Sequence, residues 1–269
     1  MNDGNSGSNV KDTADAVRGI VEAVPIYEDL LQPATQELGK GLHTLSKLVN
    51  IALAPVSGLV WGYDKIAEYM QVSMEEKLQD TPKEDIITPD PSIAVPTVET
   101  LRYTAHNEEL RDMFSNLLAT AMDRTKAAKA HPSFVEIIRQ ISPDEAKILK
   151  VLDGKSPSPL VKLRLYDPKT NHFAEPLINF STLPYEVGCS NPELGPSYME
   201  NITRLGLTNI SYSTYSVNPN AYDSIYSHHI INEWKLVAGE RGKRFEVNQG
   251  ALTRTAFGQK FFESCILSS

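Results

Sequence analysis

The chain holds only two cysteines in 269 residues, Cys189 and Cys265, and neither belongs to a CxxC pair or a Cys/His cluster. That spacing excludes a structural zinc site and a disulfide framework, and makes a reducing cytosol the natural setting. A glycine-rich phosphate loop, a G-x-S-x-G elbow and a Cys/His nucleophile pair are all missing. None of the six histidines has the i, i+4 partner with an acidic neighbour that a helical zinc site needs. No metal, cofactor or catalytic residue is therefore expected, and the reading is non-enzymatic. Basic excess is also lacking: 26 Lys and Arg face 34 Asp and Glu, a net charge of −8. Counterion release on nucleic acid needs clustered cations, so tight nucleic-acid binding is not expected. The first nine residues, rich in Asn, Gly and Ser, lack a basic-then-apolar signal and read as a disordered leader, residues 1–9.

No apolar run reaches the roughly 20 residues of a membrane-spanning helix. The stretch from Leu48 to Tyr63 has sixteen residues without a charge and contains Pro55, Gly58 and Gly62. Its apolar positions Leu48, Val49, Ile51, Leu53, Val56, Leu59, Val60, Trp61 and Tyr63 support two readings. One is a buried helix-turn-helix junction. The other is a segment held off the membrane in the resting protein and inserted after a conformational change, since Trp and Tyr favour membrane interfaces as well as core rims. The first is preferred for the resting state.

Charge is unevenly spread. Up to Pro91 there are 7 basic and 15 acidic residues, whereas Ser92 to Ser269 balances 19 against 19. Leu31, Leu38, Leu45 and Ala52 fall seven apart, with Leu42, Val49 and Val56 offset by four, the spacing of a helical packing seam. Residues 10–80 thus form an expected helical module. Pro82, Pro89, Pro91 and Pro96 among polar residues mark an expected linker over residues 81–96.

A central helical segment, residues 97–141, follows. Leu110, Met113, Phe114, Leu117, Leu118 and Ala121 recur on one helical stripe. Asn107 is its expected N-cap, and Glu108 and Glu109 sit where the helix dipole favours negative charge. His106 beside them reads as a surface contact rather than an acid/base group. His131-Pro132-Ser133-Phe134 is a turn and helix start, with Ser133 the expected cap. Ser142 with Glu145 has the capping-box pattern, and Pro143 takes the first helical position, opening a helix to about Leu152.

Residues 142–269 change character. Val161, Leu163 and Leu165, the polar turn Asp167–Asn171, then Leu177 and Phe180 read as a β-hairpin with a long loop. Tyr198, Ile202 and Leu205 mark a helix ending at Gly206. Leu207, Ile210 and Tyr212 lead into one strand, Phe245 and Val247 into another. Leu252-Thr253 is read as opening a last helix with Phe257, Phe261, Phe262 and Cys265 on one face. The short basic knot Arg241, Lys243 and Arg244 reads as a solvated turn beside a strand. This order resembles a winged-helix domain carrying an inserted β-hairpin. The helix from Glu193 to Leu205 would be its recognition helix, yet it offers Glu193, Glu200 and one cation, Arg204, which favours a winged helix used for protein contact over one that reads DNA.

The run Ala105-His106-Asn107-Glu108-Glu109-Leu110-Arg111, Phe114, Leu117-Leu118, His131-Pro132-Ser133-Phe134 and Ser142-Pro143-Asp144-Glu145-Ala146 is similar to the bacterial abortive-infection alpha family. Val60-Trp61-Gly62-Tyr63 and the closing Leu252 to Cys265 segment extend the resemblance. It implies a cytosolic bacterial protein of phage defence and assigns no chemistry. The sequence reading is thus a mainly α chain with a smaller α+β part, a helical amino-terminal module followed by a winged-helix-like carboxy-terminal domain. It works through a protein partner or self-association. The alternatives are a winged-helix DNA-binding regulator and a hydrolase with an unrecognised site.

Overall fold

The computed structural model describes residues 63–267 apart from 153 and 155. The leader, the heptad seam and the uncharged stretch as far as Gly62 lie outside the described residues. Tyr63 opens the first helix, α1 (Tyr63–Lys77), followed by α2 (Pro91–Thr104), α3 (Glu108–Met122), α4 (Ser133–Gln140) and α5 (Pro143–Val151). Strands β1 (Ser158–Tyr166) and β2 (Phe173–Phe180) come next, then α6 (Leu183–Glu186), α7 (Gly195–Arg204) and β3 (Thr208–Ser211). The described chain ends with α8 (Asp223–Ser227), α9 (His229–Glu240), β4 (Arg244–Arg254) and α10 (Ala256–Cys265). The fold is α+β and mainly helical.

Helix α3 is the hub. Asn107 caps it, its Oδ1 accepting the Leu110 N–H at 3.0 Å. The whole stripe Leu110, Met113, Phe114, Leu117, Leu118 and Ala121 is buried. Burial goes beyond a stripe, since every residue from Met113 to Met122 is enclosed, as in a helix surrounded on all sides. Its buried polar residues each find partners in neighbouring helices. Ser115 Oγ lies 2.9 Å from Tyr69 Oη of α1. Asn116 Nδ2 donates to the Cys265 carbonyl at 3.1 Å and Thr120 Oγ1 to that of Ser264 at 3.2 Å. Those two carbonyls close the last turn of α10, where no helical N–H reaches them, so α3 side chains finish the capping of α10.

The proline-rich stretch over residues 81–96 differs from the expected linker. Pro91 stands at the first position of α2 behind the cap Asp90, whose Oδ1 accepts the Ser92 N–H at 2.8 Å, and Pro96 lies inside the helix. A proline at a helix start loses no hydrogen bond, so the residue that suggests a spacer here begins a helix. The preceding segment is tied along the end of α3: Ile87 N–H donates to Met122 O and Arg124 N–H to Asp85 O, both at 2.8 Å. Asp123, nearly enclosed, takes Thr125 N–H and Oγ1–H on Oδ1 and Lys126 on Oδ2. Burial works to raise its carboxyl pKa, but these donors outweigh it and hold the group below its ordinary value.

The four strands form one antiparallel sheet in the order β2-β1-β4-β3. Register pairs Leu163 with Leu177 across β1 and β2, and Tyr166 with Arg244 across β1 and β4. The hairpin and its polar turn stand where the alternation places them. Val161, Leu163 and Phe180 pack with Tyr222, Ile225 and Ile231 of the α8 and α9 region into a second core, while the main core gathers α1 to α5, α7 and α10. Helices α8 and α9 occupy a stretch that sequence reasoning left unassigned. At the carboxy end, Leu252 and Thr253 pair with Ile210 and Asn209 and belong to β4. The last helix starts at Ala256 instead, capped by Thr255, whose Oγ1 accepts the Gly258 N–H at 2.8 Å. Ladder bonds to β3 hold Leu252 and Thr253 extended. Phe261 and Cys265 are buried on the expected face, whereas Phe257 remains 37% exposed.

Candidate functional site

The most concentrated polar chemistry lies at the start of α5. Ser142 and Glu145 form the complete capping box, with Pro143 in the first turn. Asp144, 5% exposed, reaches outward instead. Its Oδ1 accepts the Ser190 N–H at 2.8 Å, and its Oδ2 accepts the Asn191 N–H at 3.1 Å and the Tyr198 hydroxyl at 3.0 Å. Lys147 Nζ stands 3.7 Å away. Burial opposes ionisation, but these donors and the lysine outweigh it and keep the carboxyl below its ordinary pKa. The Cys189 thiol lies 3.6 Å from the Asp144 carbonyl. Burial first, and then the negative charge of Asp144, push it up to about 11. Burial and the same carboxylate push Tyr198 up to about 12. The thiol and phenol are thus held protonated at neutral pH, and the carboxylate is occupied by donors. This corner fastens α5 to the connection between α6 and α7. Glu145 adds to it by accepting from Asn201 Nδ2 at 2.8 Å.

The histidines serve as caps and packing. His131 Nδ1 accepts the Ser133 N–H at 3.1 Å and lies 2.7 Å from Ser133 Oγ. It therefore takes the capping role expected of Ser133, with Pro132 at the cap position. Its ring packs 5.8 Å from Phe134. His228 Nδ1 accepts the Ile230 N–H at the start of α9 at 3.4 Å, and its ring lies 5.1 Å from Phe180 and 4.7 Å from Tyr185. Burial and the neighbouring His229 lower its pKa. His106 is exposed just before the cap Asn107. Among the described residues, no group of three His, Cys, Asp or Glu side chains could hold a metal ion.

Sequence reasoning missed a surface. Opposite the apolar face of the sheet, β1 presents Lys162, Arg164 and Tyr166. Glu175 of β2 pairs with Lys162 at 2.9 Å and with Arg164 at 2.7 Å. Arg164 lies 4.6 Å over the Phe173 ring and Arg244 4.6 Å over Tyr166. Arg244 also pairs with Glu246 at 2.8 Å, and Lys243 with Asp167 at 2.6 Å. The basic knot is therefore tied into the sheet end through two of its members. The period-2 alternation of Lys162, Arg164 and Tyr166 with Val161, Leu163 and Leu165 was a readable signal for this face. Helix α7 offers less. Arg204 hydrogen-bonds Asn201 at 2.7 Å and Gln140 at 3.2 Å, and Glu200 accepts from Asn179.

The abortive infection alpha model matches residues 62–265, most of the chain. The chain belongs to the abortive infection alpha family. No curated protein and no solved structure matches it. Among the residues that carry the family resemblance, Leu110, Phe114 and Phe134 are core. Asn107 and His131 cap helices, Glu108 stands in the first turn of α3, and Ser142, Pro143 and Glu145 build the capping box. Leu48, Val49, Ile51, Leu53, Val56, Leu59, Val60 and Trp61 lie outside the described residues. No helix among the described residues is long and apolar enough to cross a membrane.

Proposed function

We propose that this abortive infection alpha protein serves bacterial phage defence from the cytosol as a non-enzymatic sensor or effector that works through protein contacts. The family match over residues 62–265 carries the reading. The carboxy-terminal unit is read as a winged helix used for contact: β1, β4 and β3 are neighbours in that order, with α6 and α7 between β1 and β3 in the chain. β2 is then an inserted edge strand. The uncharged stretch ending at Tyr63 stays off the membrane in the resting protein, so purified wild type leaves dye-loaded anionic liposomes intact.

The test is plating efficiency of a phage panel on cells carrying the gene. Wild type is expected to protect against at least one phage. Phe114→Asp abolishes protection by placing an unpaired charge in the hub helix, a change of about 4 kcal/mol or more. Equal plating on wild-type and empty cells across the panel would overturn the defence reading. The winged order also favours a second reading, a DNA-binding regulator. Anisotropy with duplex DNA at physiological salt separates them, and Kd near 10⁻⁸ M, roughly the range of dedicated regulators, would promote it. No such binding is expected, since the one cation of α7 is engaged within the fold.

A further inference from the structure

Two surfaces of opposite charge stand apart in the fold. On α1, the side opposite the buried Ile66, Met70 and Met74 shows Glu68, Val72, Glu75 and Glu76, all exposed and spaced as one helical stripe. Exposed Gln79, Asp80 and Glu84 follow in the segment after the helix. Between Lys65 and Asp90 there are seven carboxylates and three lysines, and one of those lysines, Lys77, is paired with Asp112 at 3.1 Å. At the far end of the sheet, the turns before β4 and after β1 meet through Lys243 and Asp167. Lys162, Arg164, Lys169, Arg241, Lys243 and Arg244 gather there against Asp167, Glu175, Glu240 and Glu246. This is a locally basic end on a chain of net charge −8. Each surface has an apolar residue within it: Val72 is 58% exposed on the acidic stripe and Phe173 50% on the basic end.

We infer that the protein partner is a second copy of the chain, the acidic stripe of α1 in one copy docking on the basic, aromatic end of the sheet in the next. The inference rests on the protein-contact reading and names its partner. Charge complementarity selects this occupant. The α1 stripe offers spaced carboxylates and a central valine to the cations and the exposed Phe173 of the sheet end. The two patches differ, so the contact is head to tail. A helix of 15 residues is about 22 Å long and covers a few hundred Å², less than the roughly 800 Å² per partner of a standard stable interface. The association is accordingly weak, concentration-dependent and sensitive to salt.

Sedimentation velocity on nuclease-treated full-length protein tests it. Association is expected at about 0.05 M salt and is weakened about tenfold or more at about 0.5 M, where the Debye length falls to roughly 4 Å. Arg241→Glu with Arg244→Glu, and separately Glu75→Lys with Glu76→Lys, each abolish it. An equimolar mixture of the two variants restores it, because the lysine-bearing α1 meets the glutamate-bearing sheet end. Arg241→Glu alone, in an exposed turn, weakens association without disturbing the Arg244 stack on Tyr166. Three results would each overturn the inference: a monomeric wild type at low salt, association unmoved by either pair, or no recovery on mixing. Phage protection by a wild type that stays monomeric would overturn this contact and leave the defence reading standing.

Discussion

Replacing Asp144 by Asn tests the strongest polar junction in the fold. The carboxylate takes two backbone N–H groups and a tyrosine hydroxyl at 2.8 to 3.1 Å, with Lys147 close by. Hydrogen bonds to a buried charge are worth roughly 1.5–3 kcal/mol each, and a donor left unmatched costs a similar amount. Asn keeps one acceptor oxygen but turns an NH₂ toward donors, so about 3–4 kcal/mol is expected to be lost. For a domain of this size that is about 10 °C in melting temperature. The pH dependence has a definite sign. The folded-state pKa lies below the ordinary carboxyl value, so the stabilisation is complete above about pH 4 and is lost as pH falls through the folded-state pKa. Thermal melts followed by circular dichroism should therefore show a constant gap between wild type and Asp144→Asn from neutral pH down to about 5. Below about 4 the gap should narrow progressively, with wild type losing stability more steeply. A variant that melts within about 1 °C of wild type at neutral pH, or a gap that does not narrow as pH falls below about 4, would refute the assignment of these bonds. Tyr198→Phe, which removes one donor, should cost about 1 kcal/mol.

Gly258→Ala and Gly239→Ala should have opposite effects although both sites are helical. A Cβ at Gly258 would stand 1.9 Å from the Leu207 carbonyl oxygen and 2.7 Å from its carbon, so about 3 kcal/mol of destabilisation is expected from a backbone that cannot yield. At Gly239 nothing lies within 4 Å, and alanine should stabilise by up to about 1 kcal/mol. Denaturant titrations of the two variants decide. Cys189 should react slowly with iodoacetamide at pH 8. A pKa of about 11 leaves it about 250-fold less thiolate than an ordinary cysteine, offset about tenfold by greater intrinsic nucleophilicity, for a net slowing of about 20-fold before burial is counted. Labelling of the native protein at the rate of the unfolded chain would contradict the enclosed thiol.

Helix α3 and the capping box of α5 were legible because their signals are local. A cap, a dipole-favoured acid and an apolar stripe all lie within fifteen residues of one another, and no distant contact has to be known. The hairpin was legible for the same reason, with a period of 2 on each side of a polar turn. Helix α9 was also marked, by Ile230, Ile231, Trp234, Val237 and Ala238 at helical spacing, but its cap is His228 rather than one of the usual capping residues, and the start was passed over. The linker was misassigned because a proline run carries the same letters whether it spaces two units or opens a helix at Pro91. The Asp144 corner could not have been found from spacing. Two of its donors are backbone N–H groups about 46 residues away, and a backbone donor leaves no trace in residue identity. The sheet surface is intermediate: its alternation was visible, but which cations share Glu175 depends on the β1–β2 register.

The position of Phe114 limits what its variants can teach about defence. Helix α3 touches α1 through Tyr69 and Ser115, and α10 through Asn116 and Thr120. A charge at Phe114, which is wholly enclosed, therefore disturbs the helix bearing the acidic stripe and the helix closing the carboxy-terminal unit together. Loss of protection by Phe114→Asp establishes that the folded hub is required and does not identify the surface that acts. Glu75, Glu76 and Arg241 are exposed, and surface changes away from special features usually move stability by about 0.5 kcal/mol or less. Arg244→Glu also removes the Glu246 pair and the Tyr166 stack, so its melting temperature is part of the test. Protection lost in both charge-swapped variants with melting temperatures near wild type, and regained when the two are co-expressed, would assign the defence step to the contact between copies, a distinction that no core substitution can make.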